Sequence, residues 1–339
     1  MRSIKRNCSI LLVAVLICGL FASCNSDVLK EETTEQTVLS GGDMVVETAS
    51  SEETGSVPEM FVPSDNSSGS AKENTISPMP EETSPNPTGG ESNQQAYRVE
   101  NFSCESSTGT IFGKIYIPIQ LSGTAPAVIL SHSYMLKYTS LTSYAEQMAE
   151  SGYIACCFNF NTNNMTVFTE VSDLEAVIAA VSARSDVNKN KIFLFGTSLG
   201  GLVSALTANS HPNQIEGLIL LYPALIDRKQ AQEWANNVFV SSSPWVKDLV
   251  NYEVFDHIAN FTGDVLIIHG TNDQMINIEF SRRAAATYAH ATLIPIQGAN
   301  HGFNKYQVPE NMQPLIGAFF GDFDAQVNPY IFNFLKSHI

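Results

Sequence analysis

The chain has 339 residues and a net charge of −16, with 34 acidic against 18 basic side chains. Its Lys and Arg residues form no cluster, so nucleic acid is not an expected partner. There is no H-E-x-x-H, no C-x-x-C and no phosphate-binding loop, so neither a metal nor a nucleotide cofactor is expected.

Residues 1–23 carry Arg2, Lys5 and Arg6 ahead of a short apolar run, and end in Leu20, Phe21, Ala22 and Ser23. The run is short for a membrane span, and the layout is that of a secretory signal peptide. Cys24 follows directly, and the junction resembles a bacterial lipobox. That resemblance implies a lipid (palmitate) on Cys24 and a protein held outside the cytoplasm on the bacterial cell membrane. Ordinary cleavage, with Cys24 a bystander, is the alternative. Residues 24–97 are rich in Ser, Thr, Glu, Asn and Pro and show no apolar period. Between Asn25 and Arg98 there are 14 acidic and 3 basic side chains. Such a segment buries too little apolar surface to offset its ordering entropy, and it reads as an acidic tether.

Residues 98–339 suit one large domain. "YRVENFS" and "GTIFGKIYIP" predict a β-hairpin. "APAVILS", "YIACCFNF", "KIFLF", "IEGLILLYP", "DVLIIHG" and "TLIPIQ" are apolar runs of strand length, as expected for strands buried on both faces. Helical spacing appears over residues 141–151, 167–184, 197–209, 278–289 and 330–337. This alternation predicts an α/β fold with a mostly parallel sheet and helices on both faces. Residues 223–260, after the strand ending near Tyr222, break the rhythm and hold both Trp234 and Trp245. They read as a lid or cap shaping a substrate pocket, or as an insertion whose aromatics pack onto the body. Three of the six cysteines fall in this domain. Cys104, Cys156 and Cys157 are a poor basis for a disulfide framework, and the last two sit in a strand as small hydrophobes.

Gly196-Thr197-Ser198-Leu199-Gly200 fits G-x-S-x-G between a strand and a helix. The turn needs small flanking residues, and Gly196, Gly200 and Gly201 supply them. A serine hydroxyl needs a base to take its proton, and the base needs an orienting carboxylate. Asp273 lies just past the fifth buried strand and His301 just past the sixth. The order Ser198, Asp273, His301 therefore points to a nucleophile, acid and base. An oxyanion donor is expected in the backbone N–H of Leu199. A second is expected from "LSHSYMLKY". His211, His257, His290 and His338 show no partner spacing, and His269, before Gly270 at a strand end, reads as structural.

"ILSHSY", "FGTSLGG", "HGTND" and "NHGF" resemble the α/β-hydrolase superfamily, and within it the bacterial cinnamoyl (feruloyl) esterases and prolyl-oligopeptidase-like hydrolases. The resemblance implies the α/β-hydrolase fold and a serine carboxylic-ester hydrolase (EC 3.1.1.-). In those relatives the first loop reads His-Gly-x, which implies Tyr134 as the second oxyanion donor and His132 as a structural histidine at the pocket. This chain has Ser133 in place of the glycine, so Ser133 is a rival donor. The expected substrates are small, aryl or carbohydrate-linked esters, with Trp234 and Trp245 on the pocket. The alternatives are a serine peptidase or acyl-aminoacyl hydrolase, a lipase, or an inactive surface binding protein.

Overall fold

The computed structural model describes residues 96–161, 165–236 and 243–339. The expected signal peptide, Cys24 and nearly all of the tether lie outside these residues. Eight strands form one sheet in the order β1-β2-β4-β3-β5-β6-β7-β8. β1 (Tyr97–Ser106) and β2 (Gly109–Pro118) form the expected antiparallel hairpin, and β2 pairs antiparallel with β4 (Ile154–Asn159). From β4 onward the pairing is parallel, through β3 (Ala125–Ser131), β5 (Val187–Thr197), β6 (Gly217–Leu221), β7 (Asp264–Gly270) and β8 (Ala291–Ile296).

The central strands β3 to β7 are apolar on both sides because both sides are covered, while β1 and β8 at the edges are only partly buried. Along β5, Ile192 and Leu194 join one core cluster while Phe193 and Phe195 join the other, as the two-residue repeat of a strand requires. The first cluster is closed by α2 (Val167–Ser182) and α3 (Leu199–Ser210). The second is closed by α1 (Thr142–Glu150) and by the C-terminal helix Asp324–Lys336. α2 opens with a reciprocal cap, Thr169 N donating to Thr166 Oγ1 (3.1 Å) and Thr166 N to Thr169 Oγ1 (2.9 Å). Cys156 and Cys157 are buried on opposite faces, and burial pushes the Cys157 thiol up to about 12.

Three features depart from the expected elements. The C-terminal helix begins at Asp324 and runs through Pro329, which is exposed, so water can satisfy the carbonyl that proline leaves unbonded. Residues 223–260 hold two short helices, α4 (Arg228–Ala235) and α5 (Pro244–Leu249), before a single turn at Val254–His257. Residues 303–323, not assigned from the sequence, form short turns and one brief helix, α7 (Gln313–Ile316), which follows α6 (Ile278–Thr287). The C-terminal helix is then α8. Leu136, Val308, Met312, Ile316 and Phe319 make a small apolar cluster under this segment.

β8 is an edge strand containing Pro295. Its Ile296 carbonyl accepts from Thr271 N (3.0 Å). By alternation, Pro295 therefore turns its nitrogen to the open edge, where a missing N–H costs no ladder bond.

Glu170, in the first turn of α2, is 2 % exposed and its Oε2 has no hydrogen-bond partner among the described residues. Burial, with Asp173 and Asp248 nearby, pushes its carboxyl up to about 8. A raised folded-state value favours the neutral acid. Its stabilisation is full below the unfolded value near 4.5 and is lost as pH rises through about 8. Glu170→Gln is expected to match the wild type at pH 5 and to be more stable by about 2 kcal/mol or more at pH 9. Thermal melts at the two pH values measure this. An equal melting-temperature difference at both pH values would refute it.

Candidate active site

Ser198 sits where β5 gives way to α3, with φ 50° and ψ −116°. This left-handed conformation is unfavourable for a residue with a Cβ. It is held by Ser198 N donating to Leu221 O (3.0 Å) and by Gly201 N, Leu202 N and Ala224 N donating to Ser198 O (3.0, 3.2 and 2.9 Å). The glycines are needed for clearance. A Cβ on Gly196 would lie 2.4 Å from Gly200 O, and one on Gly200 would lie 2.2 Å from Ser131 O.

The structure brings the three expected residues together. His301 Nε2 lies 2.9 Å from Ser198 Oγ, and His301 Nδ1 lies 2.8 Å from Asp273 Oδ2. A carboxylate can only accept, so Nδ1 carries the proton and Nε2 faces the serine hydroxyl as an acceptor. Asp273 Oδ1 accepts from Met275 N (2.8 Å) and Ile276 N (2.9 Å). Burial alone would raise the Asp273 carboxyl. The neighbouring His301 and hydrogen bonds from His269 and His301 overcome that and hold it well below the usual carboxylate range. The loops bearing acid and base are tied to each other by Asn272 N to Ala299 O (2.9 Å) and Gly298 N to Thr271 Oγ1 (2.9 Å).

His269, expected to be structural, is bonded to the same Asp273 carboxylate as His301. Its Nε2 lies 3.0 Å from Asp273 Oδ2 and 3.1 Å from Ile276 O, both acceptors, so it carries the proton there. Its Nδ1 then accepts from Ser281 Oγ at 2.6 Å. The spacing of four residues between His269 and Asp273 was the available signal.

The loop after β3 places the second expected donor. His132 is buried and its ring nitrogen Nδ1 donates to Ser133 O (2.8 Å), while Nε2 faces Phe160 N (3.4 Å). Burial pushes its pKa down to about 4, so the ring is neutral and props the loop. Ser133 O also accepts from Leu136 N (3.1 Å), closing a turn whose positive φ (63°) falls on Met135. Position 133 therefore does not need a glycine conformation. Ser133 Oγ donates inward to Thr197 Oγ1 (2.9 Å), which turns the rival hydroxyl away from an oxyanion role. Leu199 N lies in the first turn of α3, where backbone N–H groups have no partner within the helix. Leu199 and Tyr134 thus flank Ser198 from the helix and the loop.

A cleft of about 70 Å3 opens at Ser198 and His301. Its remaining lining is Ser133, Tyr134, Met135, Leu136, Met275, Met312, Ile316 and Phe320. Trp234, Trp245 and His132, expected at the pocket, are not among the residues lining this cleft. Trp245 packs 6.5 Å from Tyr134 and 5.9 Å from Trp234, so the pair backs Tyr134 from outside the cleft. His132 is taken up by the scaffold of the loop. The wall that sequence reasoning missed comes from residues 303–323, whose apolar side chains follow neither a helical nor a strand period. Among the described residues no group of three or more His, Cys, Asp or Glu side chains is placed to hold a metal.

Residues 165–255 match the family described as "Serine aminopeptidase, S33". The alpha/beta hydrolase domain-containing protein WAV2 of Arabidopsis thaliana is 29% identical over 122 residues. That match covers 31% of this chain and 37% of WAV2, so the chain spans little more than a third of this curated relative. Est1E from Butyrivibrio proteoclasticus superposes with a TM-score of 0.54 at 20% identity, covering 59% of this chain and 90% of that one. An esterase from the archaeon Pyrobaculum calidifontis gives 0.52 at 19% identity, covering 67% and 82%. The fold is the α/β-hydrolase fold, with its eight-stranded, mostly parallel sheet flanked by helices. The family match supports a hydrolase, and the structural neighbours share the fold.

Proposed function

We propose that this protein is a serine esterase that cleaves short-chain carboxylic esters through a covalent acyl-enzyme on Ser198. The observation that carries the reading is the relay of 2.9 and 2.8 Å from Ser198 Oγ through His301 to Asp273, at the end of an apolar cleft. Ser198 Oγ attacks the ester carbonyl carbon as His301 Nε2 takes the hydroxyl proton. The carbonyl oxygen becomes the oxyanion, for which the N–H groups of Leu199 and Tyr134 are the proposed donors. The C–O bond to the alcohol breaks, and His301 returns the proton to the leaving oxygen. Water then repeats the sequence on the acyl-enzyme, with His301 taking its proton, and the carboxylic acid leaves. Asp273 stays ionised and orients the ring throughout.

A cleft of about 70 Å3 walled by three methionines, Leu136 and Ile316 suits a short aliphatic acyl group better than an aromatic acid. p-Nitrophenyl acetate and butyrate are therefore expected to be turned over faster than methyl ferulate. The last is a pointed comparison, since ferulic acid is bound in a structure of Est1E. No hydrolysis of any of the three by the purified protein would sink the esterase reading. Met312→Ala is expected to lengthen the preferred acyl chain, by about fourfold in relative kcat/KM for each methylene newly accommodated. Acyl-chain series on both proteins measure the shift.

The family match favours a second reading, an aminopeptidase. Such an enzyme must pair the ammonium of its substrate, and among the described residues the cleft lining contains no Asp or Glu. Aminoacyl p-nitroanilides test it directly, and turnover of these above the esters would reverse the preference. For the N-terminus we propose a lipid on Cys24, from the junction Ala22-Ser23-Cys24. Mass spectrometry of the mature N-terminus from the native bacterial membrane is expected to show diacylglyceryl-cysteine at that position. An unmodified residue there would remove the anchor.

A further inference from the structure

Among the described residues, three non-glycine residues hold a positive φ. Ser198 is the nucleophile turn and Met135 is the turn of the loop after β3. The third is Tyr222, at φ 39°, immediately after β6. It has no part in the proton transfers described above, yet a tyrosine in that conformation persists only where its surroundings over-determine it. It is 1 % exposed. Its backbone N donates to Ile268 O (2.7 Å), and two residues on, Ala224 N donates to Ser198 O (2.9 Å). Between them, Pro223 packs against Gly201.

The side chain reaches three parts of the site. Its ring lies 4.9 Å from the His301 ring at 58°, with Phe303 on it edge to face at 5.0 Å. Its hydroxyl end faces the side chains of Thr197 and Ser133, which are hydrogen-bonded to each other at 2.9 Å. Thr197 is the residue before Ser198, and Ser133 is the residue before Tyr134. Each polar partner therefore adjoins a group that must meet the reacting carbonyl. Burial pushes the phenol well above its ordinary value, so the hydroxyl stays protonated and takes no acid or base role. An ordinary core tyrosine would need only one partner and no strained backbone.

We infer that Tyr222 is a positioning residue, which fixes the spacing between the His301 ring, the Ser198 turn and the oxyanion loop by bearing on all three. This rests on the proposed role of Ser198 as nucleophile. It also gives the Ser133 hydroxyl a part, since its bond to Thr197 lies against the Tyr222 side chain.

Tyr222→Phe removes the hydroxyl and leaves the ring. It is expected to lower kcat on p-nitrophenyl acetate roughly 10- to 100-fold, the scale of a displacement of about 1 Å at the reacting atoms, with KM within about twofold. The rate at which p-nitrophenyl diethyl phosphate labels Ser198 is expected to fall in parallel. Ser133→Ala, which leaves the buried ring untouched, is expected to show a similar loss, and the double variant no more than the larger single loss. A merely structural role would lower the melting temperature and leave kcat and labelling unchanged well below it. Labelling and kcat within twofold of wild type in Tyr222→Phe, or losses in the double variant that multiply, would overturn the inference. A wild-type protein that neither turns over esters nor takes the label on Ser198 removes the esterase reading itself, and this inference falls with it.

Discussion

Ser198→Ala is expected to reduce ester hydrolysis by about 10^4-fold or more while leaving the fold intact. Removing the nucleophile of such a triad leaves only the residual catalysis of the oxyanion donors and substrate binding. The methyl side chain fits where the serine sat, since Ser198 Oγ makes its side-chain bond to His301 and none to the scaffold. The backbone bonds of the turn are unaffected by the change. Steady-state rates with p-nitrophenyl acetate, alongside circular dichroism, test both halves. Residual activity above about one per cent of wild type in a protein free of contaminating esterase would mean that another group supplies the nucleophile.

Gly200→Ala is the substitution expected to do most damage to both stability and rate. Its new Cβ would lie 2.2 Å from Ser131 O and 2.6 Å from His132 O, and both atoms are backbone. No flexible side chain can move aside, so α3 must draw back from the end of β3. The expected cost is about 3 kcal/mol, or roughly 6–12 °C in melting temperature for a domain of this size. The displacement also parts Leu199 from the loop carrying Tyr134, so kcat falls even in the protein that remains folded. Gly298→Ala is the control. That glycine has φ 76° with open space around it, so only the conformational term applies, about 1 kcal/mol. If the two variants melted within a degree of each other, the close approach of α3 to β3 would not be a constraint.

The parts of the fold legible in the sequence were those governed by local rules. "KIFLFGTSLGG" declares a buried strand, a turn cleared by glycines and a helix, because each state demands a composition that the others exclude. Asp273 and His301 were legible for the same reason, as polar residues placed just past apolar strands. Tyr222 was not, since nothing local marks a tyrosine for positive φ. Its observed neighbours, Ile268 through the backbone and His301 through the ring, are distant in sequence. Residues 303–323 were opaque because Val308, Met312, Ile316 and Phe319 pack from short turns, and short turns impose no period. For the tryptophans, composition left two readings open, lining the pocket or packing onto the body, and the observed contacts run from Trp234 to Trp245 and from Trp245 to Tyr134.

The edge of the sheet has a bearing on crowding. β8 lies beside β7, whose following loop carries Asp273, and leads directly into the loop that carries His301. An unprotected edge there would invite a strand from a neighbouring molecule, which would pull on the base as it docked. Pro295 presents no N–H to such a strand, so a growing ladder loses a bond three residues short of the Gly298 turn. Two copies can therefore touch along this side without pairing strands through it, and the loop of His301 keeps its register with Ser198.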